Sequence, residues 1–270
     1  MEHKKAIVIL STVLAAALAV VSFFGAFDAA TYELDAASMA AQGAGQDLVD
    51  LVLVVPLLVL SLIFMLRNNR IASFIFAGTV FYILYSFCIY AFGVYFNKFF
   101  LLYCLILGSS LYLFVLAILG LNRMDVQNWF GEKVPTRLTG VYLLLISVLF
   151  YMLWLKDVVP AILKNTMPKT VSDYNLLVNP VHVLDLSIAL PGLALTAVLL
   201  MKKRRLGYIL APVLLVFLII LSIALAGMVM MAKARGIAED MSIAVIFVVL
   251  AVISIVFLYL FLKNITKVEK

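Results

Sequence analysis

The chain has 270 residues, of which 66% are hydrophobic and 13% are charged, and its formal net charge is +6. A single soluble core of this length cannot absorb so many apolar residues, so the composition excludes a soluble domain. The excess of basic residues is not clustered on a soluble face, and we therefore expect no nucleic-acid partner. The composition instead predicts an all-α polytopic membrane protein whose main partner is the lipid bilayer.

Long apolar runs bounded by charged residues predict eight transmembrane helices. In chain order they cover residues 6–27, 48–66, 71–96, 99–121, 138–155, 181–201, 206–231 and 242–262. The first run follows Lys4 and Lys5, as the hydrophobic region of a signal peptide would. With about 22 apolar residues it is too long for such a region, so we predict a helix that is retained.

The basic residues predict the orientation, because Lys and Arg accumulate on the cytoplasmic side of membrane proteins. With the N-terminus inside, 14 of the 20 Lys and Arg residues lie in inner segments and 6 lie in outer segments. We therefore expect a multi-pass protein of the cell (plasma) membrane with both termini in the cytoplasm. The loops at 28–47 and 156–180 are then outside, on a rim rich in acidic residues.

A shift of 135 residues aligns part of the first half of the chain with part of the second half, without a gap. It superposes DLVDLVLVVPLLVLSLIFMLRNNR, from Asp47, on HVLDLSIALPGLALTAVLLMKKRR, from His182. The alignment predicts two parallel four-helix repeats, residues 1–121 and 138–270, joined by a cytoplasmic linker at 122–137. Because only six of the 24 positions are identical, a chance match is the alternative.

The predicted outer ends of the second and sixth helices carry a candidate ligand-binding site. His182 and Asp185 lie three residues apart on one helix face, and Asp50 holds the place that matches Asp185. Six residues deeper, Pro56 and Pro191 each remove one backbone hydrogen bond and favour a kink. Acids above paired kinks predict an outward-facing cavity, with these ligand-binding residues: Asp50, Asp157, His182 and Asp185.

Structural explanations of the same residues stay open. An acid near the start of a helix is favoured by the helix dipole and needs no ligand. His182 is either a partner for Asp185 or a group that senses pH. On the third helix, Tyr82, Tyr85 and Ser86 share one side, where they either line a polar seam or pack an ordinary helix contact.

No cofactor, metal site or catalytic residue is predicted. Cys88 and Cys104 both lie in apolar runs, and their spacing matches neither a disulfide framework nor a metal site. The two histidines are His3 and His182, and His3 precedes the first span, which argues against haem held by two imidazoles.

The second half of the chain contains a W-L-x-D-x-V-P-A segment, an N-P-V-H-V-L-D-L segment and a basic G-Y-x-L-A-P turn. They run from Trp154 to Ala161, from Asn179 to Leu186 and from Gly207 to Pro212. In these segments the chain resembles a family of uncharacterised prokaryotic multi-pass membrane proteins. The first half lacks the Trp and the Val-Pro-Ala after Asp28. The resemblance implies a fold and a site, but no reaction.

Three functions remain as hypotheses. The first is a non-catalytic receptor, sensor or accessory subunit that binds a small ligand or a partner segment in the outward-facing cavity. The second is a transporter of a small cation or cationic solute, suggested by acids and kinks at matching depth in two halves. The third is a membrane-embedded enzyme, in which His182, Asp185 and Asp157 would provide acid–base chemistry.

Overall fold

A computed structural model describes residues 4–131, 133–237, 240–263 and 265. His3 and both chain termini, whose cytoplasmic location was predicted, lie outside the described residues. Within the described ranges the regular secondary structure is helical, and no strand is formed. Eight helices are long and apolar enough to cross a membrane, which confirms the predicted all-α, eight-span fold.

The eight helices follow the predicted runs along the chain. They are α1 (Lys4–Phe27), α2 (Ala37–Leu66), α3 (Arg70–Gly93), α4 (Phe100–Arg123), α5 (Thr136–Leu163), α6 (Pro180–Met201), α7 (Arg205–Ala234) and α8 (Ser242–Leu262). The loops 28–36 and 164–179 lie at one end of the bundle, which we call the predicted outer end. Short helical turns occur in both loops, at Ala29–Tyr32 and Lys169–Ser172.

Two helices are longer than the hydrophobic pattern predicted. α2 begins at Ala37 rather than at residue 48, because its first turns are rich in Ala and Gly and pack closely against α7. α5 continues to Leu163 rather than ending at 155. Lys156 and Asp157 end the apolar run without ending the helix, since charged residues are tolerated in helices. Much of the predicted outer loops is therefore helical.

α3 and α7 form the centre of the bundle and are the most buried of the eight helices. They pack against each other at Gly78, where a Cβ atom would lie 2.5 Å from the Cβ of Val216 and 2.7 Å from the carbonyl oxygen of Val213. Such an approach of two backbones is possible only without a side chain. Around this pair, α2 and α6 pack against both central helices, α4 packs against α3, and α8 packs against α7.

The outermost contacts differ between the two sides of the bundle. α1 packs extensively against α4, whereas α5 and α8 barely meet. Their main contact is at Tyr142, whose hydroxyl lies 2.7 Å from Ser254 Oγ and whose ring stacks on Phe257. Above this contact, towards the predicted outer end, the two helices leave a seam between them. We call it the α5–α8 seam.

The two-repeat organisation stays a prediction, and several structural features recur at its spacing of 135 residues. The turns before α3 and α7 each contain a residue with a left-handed backbone, Asn68 (φ 62°) and Lys203 (φ 53°). Close helix contacts recur as well: Gly45 touches Met228, and Pro180 touches Gly93. Adding 135 to 45 gives 180, and subtracting 135 from 228 gives 93.

Candidate functional site

Two π-helical turns interrupt α2 and α6 at equivalent places. They cover Asp50–Val54 and Asp185–Ala189, so each begins at one of the predicted site aspartates. The N–H of Val55 bonds to the carbonyl oxygen of Asp50, and the N–H of Leu190 bonds to that of Asp185. Pro56 and Pro191 follow directly and, having no N–H, cannot continue the helical ladder. The distortion expected at the prolines thus includes a π turn, a feature often found at functional sites.

The Asp185 carboxyl group is held by two aromatic side chains. The Tyr85 hydroxyl donates to Oδ1 at 2.8 Å, and the Trp154 indole N–H donates to Oδ2 at 2.7 Å. The residue is 7% exposed. Because both donors come from other helices, α3 and α5, the carboxyl group links three helices at one point.

The Asp50 carboxyl group has a similar partner but a different environment. The Tyr82 hydroxyl donates to Oδ1 at 2.8 Å, while Oδ2 is buried and has no hydrogen-bond partner. Tyr82 and Tyr85 are one turn apart on α3, so this central helix supplies one donor to each aspartate. Of the two interpretations of these tyrosines, the polar seam agrees with these contacts.

His182 and Asp157 do not contact Asp185 but lie next to its partner Trp154 and to the outer loop helix. The His182 ring packs on Trp154, with ring centroids 4.7 Å apart. The Thr170 hydroxyl donates to Asp157 Oδ2 at 2.5 Å and lies 3.5 Å from His182 Nε2. The loop helix Lys169–Ser172 is thereby attached to both predicted residues. His182 supports Trp154, and Trp154 in turn holds Asp185.

A cavity of about 320 Å³ opens beside Asp185. It lies between α2, α3, α5, α6, α7 and α8 in the half of the bundle towards the predicted outer end. Most of its lining is aliphatic or aromatic, including Ile146, Phe150, Leu193, Phe217, Leu218, Leu221 and Leu250. Of the four predicted ligand-binding residues, Asp185 is the one that lines the cavity. Asp50 is buried elsewhere, and His182 and Asp157 contact the lining residues Trp154 and Thr170 from outside.

The polar groups of the cavity are acidic or neutral. Asp35 and Gln46 line it together with Asp185, and no Lys, Arg or His of the described residues does so. Burial raises the pKa of the Asp35 carboxyl group, and a hydrogen bond from the Tyr95 N–H partly opposes that shift. Asp35 was missed in the sequence because it lies in a short loop without a motif. The only feature of the sequence that pointed to Asp35 was its place in the predicted outer loop, outside the apolar runs.

The geometry also bears on the acid–base chemistry that was suggested for His182, Asp185 and Asp157. Among the described residues, no group of three or more His, Cys, Asp and Glu side chains could hold a metal ion. The oxygens of Asp185 are both occupied by donors, and His182 does not reach them.

In comparisons with known proteins, no family model, no curated protein and no solved structure matches the chain. The resemblance to the prokaryotic multi-pass family therefore stays a prediction, as do the prokaryotic origin and the location in the plasma membrane. What the structure supports directly is an integral membrane protein with eight spans.

Proposed function

We propose that this protein binds a small cationic amphiphile in the cavity beside Asp185, as a non-catalytic receptor, sensor or accessory subunit. The observation that carries the proposal is an apolar cavity of about 320 Å³ with a positioned carboxylate in its wall. Ligand sites in proteins are typically mostly apolar and contain a few fixed polar groups that orient the ligand. The cavity has this composition.

The charge of the lining selects the head group of the ligand. Asp35 and Asp185 both line the cavity, without a basic lining residue among the described positions. Charges interact strongly in a medium of low dielectric constant, so an ammonium group gains from these carboxylates and an anion is repelled. Tyr85 and Trp154 fix the Asp185 carboxylate beforehand, which reduces the ordering needed on binding.

The α5–α8 seam suggests that the ligand is membrane-soluble. Phe150 and Leu153 of α5 and Phe247 and Leu250 of α8 all line the cavity, on the two sides of this seam. A ligand with an alkyl chain can place that chain along the seam while its head group lies near Asp185. This supports an amphiphile over a fully polar solute.

Trp154 provides a direct binding signal, because it is bonded to Asp185 and lines the cavity. The chain has two tryptophans, so the Trp129→Phe variant retains Trp154 as its only one. This variant, reconstituted in nanodiscs, is titrated with octylamine, octanol and octanoate, which share a chain length and differ in charge. We expect a saturable change in Trp154 emission, with octylamine binding about tenfold or more tighter than octanoate, a difference of about 1.4 kcal/mol or more.

The matched control adds Leu221→Phe, which fills part of the cavity without touching the carboxyl groups. Octylamine should then lose its saturable effect, and empty nanodiscs give the background from partition into lipid. If the three compounds act equally, or if the Leu221→Phe variant responds as the parent does, the proposed ligand class is wrong.

A transporter of a small cation is the second candidate, favoured by the two π turns. Both begin at an aspartate and occur in helices that pack against the same central pair, an arrangement that would suit matched movements in two repeats. Proteoliposomes loaded with buffer and exposed to radiolabelled methylammonium test this directly. Uptake that is lost in the Asp185→Asn variant supports transport, whereas binding without uptake supports the receptor.

A further inference from the structure

A second buried polar cluster lies outside the cavity, between α1, α2 and α3. Its centre is formed by Asp47 and Asp50, three residues apart on α2 and 0% and 1% exposed. The Tyr32 hydroxyl donates to Asp47 Oδ2, and the Tyr82 hydroxyl donates to Asp50 Oδ1. Each carboxyl group therefore has one oxygen that is satisfied by a tyrosine.

The other oxygen of each carboxyl group has no partner. Asp47 Oδ1 and Asp50 Oδ2 are both buried without a hydrogen bond, and so is Gln46 Nε2 beside them. Buried polar atoms are nearly always hydrogen-bonded, because leaving them unpaired costs free energy. Ser22 Oγ of α1, which faces Asp47, is likewise buried without a partner. Such a group of unpaired atoms from two helices indicates that a small species belongs between them.

The titratable groups that surround the acid pair are tyrosines. They are Tyr32 from the loop, Tyr82 and Tyr90 from α3, and Tyr103 from α4, whose ring lies 5.6 Å from that of Tyr90. No described Lys or Arg pairs with either carboxyl group. On the α7 side, Gly227 packs against Gly45.

Two basic residues on the α7 side, Lys233 and Arg235, lie at the end of that helix. Arg235 donates to the carbonyl oxygen of Ala40 at 3.3 Å. Ala40 precedes Asp47 by seven residues, about 10 Å along a helix. Two buried carboxylates three residues apart on one helix repel each other, and both can lie at membrane depth only with a compensating charge or a proton.

The tight packing around Asp47 and Asp50 restricts which species can provide the compensating positive charge. α1 has Gly25 at the contact, and a Cβ atom there would overlap the Asp47 carboxyl group and come within 2.8 Å of the Tyr32 hydroxyl oxygen. The carboxyl group is thus pressed against the α1 backbone. Hard metal cations need several oxygen ligands, whereas the other free atoms here are one hydroxyl oxygen, Ser22 Oγ, and one amide nitrogen, Gln46 Nε2, which is a donor. A proton needs only the two free carboxyl oxygens.

We propose that Asp47 and Asp50 form a proton-binding site in which one proton is held between their free oxygens. One carboxyl group is then a neutral acid that donates to the other, which remains a carboxylate, and the proton comes from and returns to water. This site goes beyond the ligand cavity and does not require it. Gln46 lies between the acid pair and the ligand cavity, since it lines the cavity and its amide group is next to the acids.

The second half of the chain has no such pair. At the spacing of 135 residues, Asp50 corresponds to Asp185 but Asp47 corresponds to His182. Both oxygens of Asp185 accept hydrogen bonds, and the residue lines the cavity. A buried acid pair at this position is therefore a feature of the first half, whereas Asp185 of the second half lines the cavity.

Infrared difference spectroscopy tests the proposal, because a protonated carboxylic acid has a carbonyl stretch that carboxylates and amides lack and that shifts in D₂O. Asp47→Asn is the informative variant, since the Asn amide N–H can donate to Asp50 in place of the proton. We expect the acid band near pH 7 in the unmodified protein, and its loss in Asp47→Asn and in the Asp47→Asn/Asp50→Asn double variant. Asp173→Asn, which replaces an exposed loop acid, should retain it.

The expected result includes folded Asp47→Asn protein, judged by circular dichroism and gel filtration, together with loss of one acid equivalent. The proposal is overturned if the unmodified protein has no such band between pH 5 and 9, or if the band persists in Asp47→Asn and in the double variant. It is also overturned if replacing choline chloride by NaCl at constant pH removes the band, since Na⁺ would then occupy the site. None of these outcomes depends on octylamine binding.

Discussion

Gly45 is the position where the structure makes the sharpest prediction about stability. A Cβ atom at Gly45 would lie 2.6 Å from the Gly227 carbonyl oxygen and 2.7 Å from the Met228 Cα. These are backbone atoms, so no rotamer change can relieve the overlap, and α2 must move away from α7. Overpacking of this kind costs about 1–3 kcal/mol, while replacing Gly by Ala within a helix returns about 0.5–1 kcal/mol.

The Gly45→Ala variant should therefore unfold at a lower SDS mole fraction in mixed micelles, with a net loss of up to about 2.5 kcal/mol. Gly108→Ala is the matched control, because a Cβ atom at Gly108 of α4 meets nothing within 4 Å. That variant should be neutral or slightly stabilised. Equal unfolding curves for the two variants would refute the close α2–α7 contact, and with it the placement of Gln46 at the cavity wall.

Three further predictions concern hydrogen bonds and outer-end charges. Tyr85→Phe should lower the free energy of unfolding by about 1.5–3 kcal/mol, because it leaves one oxygen of Asp185 unpaired; the same SDS titration measures this. The raised pKa of Asp35 means that the folded state binds more protons than the unfolded state. The contribution of this group to stability therefore falls as pH rises above about 3.9. Octylamine binding should strengthen over the same pH range, and the Asp35→Asn variant should lose that pH dependence in the fluorescence assay. Lys98 donates to Asp28 at 2.9 Å and lowers the pKa of Asp28. This ion pair therefore stabilises the fold above about pH 3.9, and the stabilisation is lost as pH falls through the lowered pKa of Asp28. In the Lys98→Met variant, ¹³C NMR of labelled Asp should show a higher pKa for Asp28.

The sequence predicted the membrane architecture because apolar runs of sufficient length have one stable arrangement in a bilayer. All eight helices were found, with errors confined to ends where the hydrophobic pattern and the helix differ, as at Ala37 and Leu163. Of the predicted ligand-binding residues, only Asp185 lines the cavity. Asp50 and Asp185 were recognised as ionisable groups at matching positions, but their exposure was not, because it depends on which helix lies in front of each carboxyl group.

Other features of the site cannot be predicted from the residues that neighbour them in the sequence. The role of Trp154 depends on the rotation of α5 about its axis, which places the indole against Asp185. The importance of Asp47 depends on Tyr32, which comes from a loop fifteen residues earlier, and on Gly25 in α1. The π turns add one residue to a helical turn and so change which face the following residues occupy. Such shifts arise from packing among distant segments.

The sparse contact between α5 and α8 has a mechanical consequence. Deforming a bundle costs least where the fewest packed side chains must separate, and here that is the wall formed by α5 and α8 above Tyr142. Lateral pressure from the surrounding lipids acts directly on this wall. Thickness and tension of the bilayer are thus expected to alter the volume of the cavity more readily than they alter other parts of the bundle. The affinity for the proposed ligand would then depend on the membrane as well as on the chain.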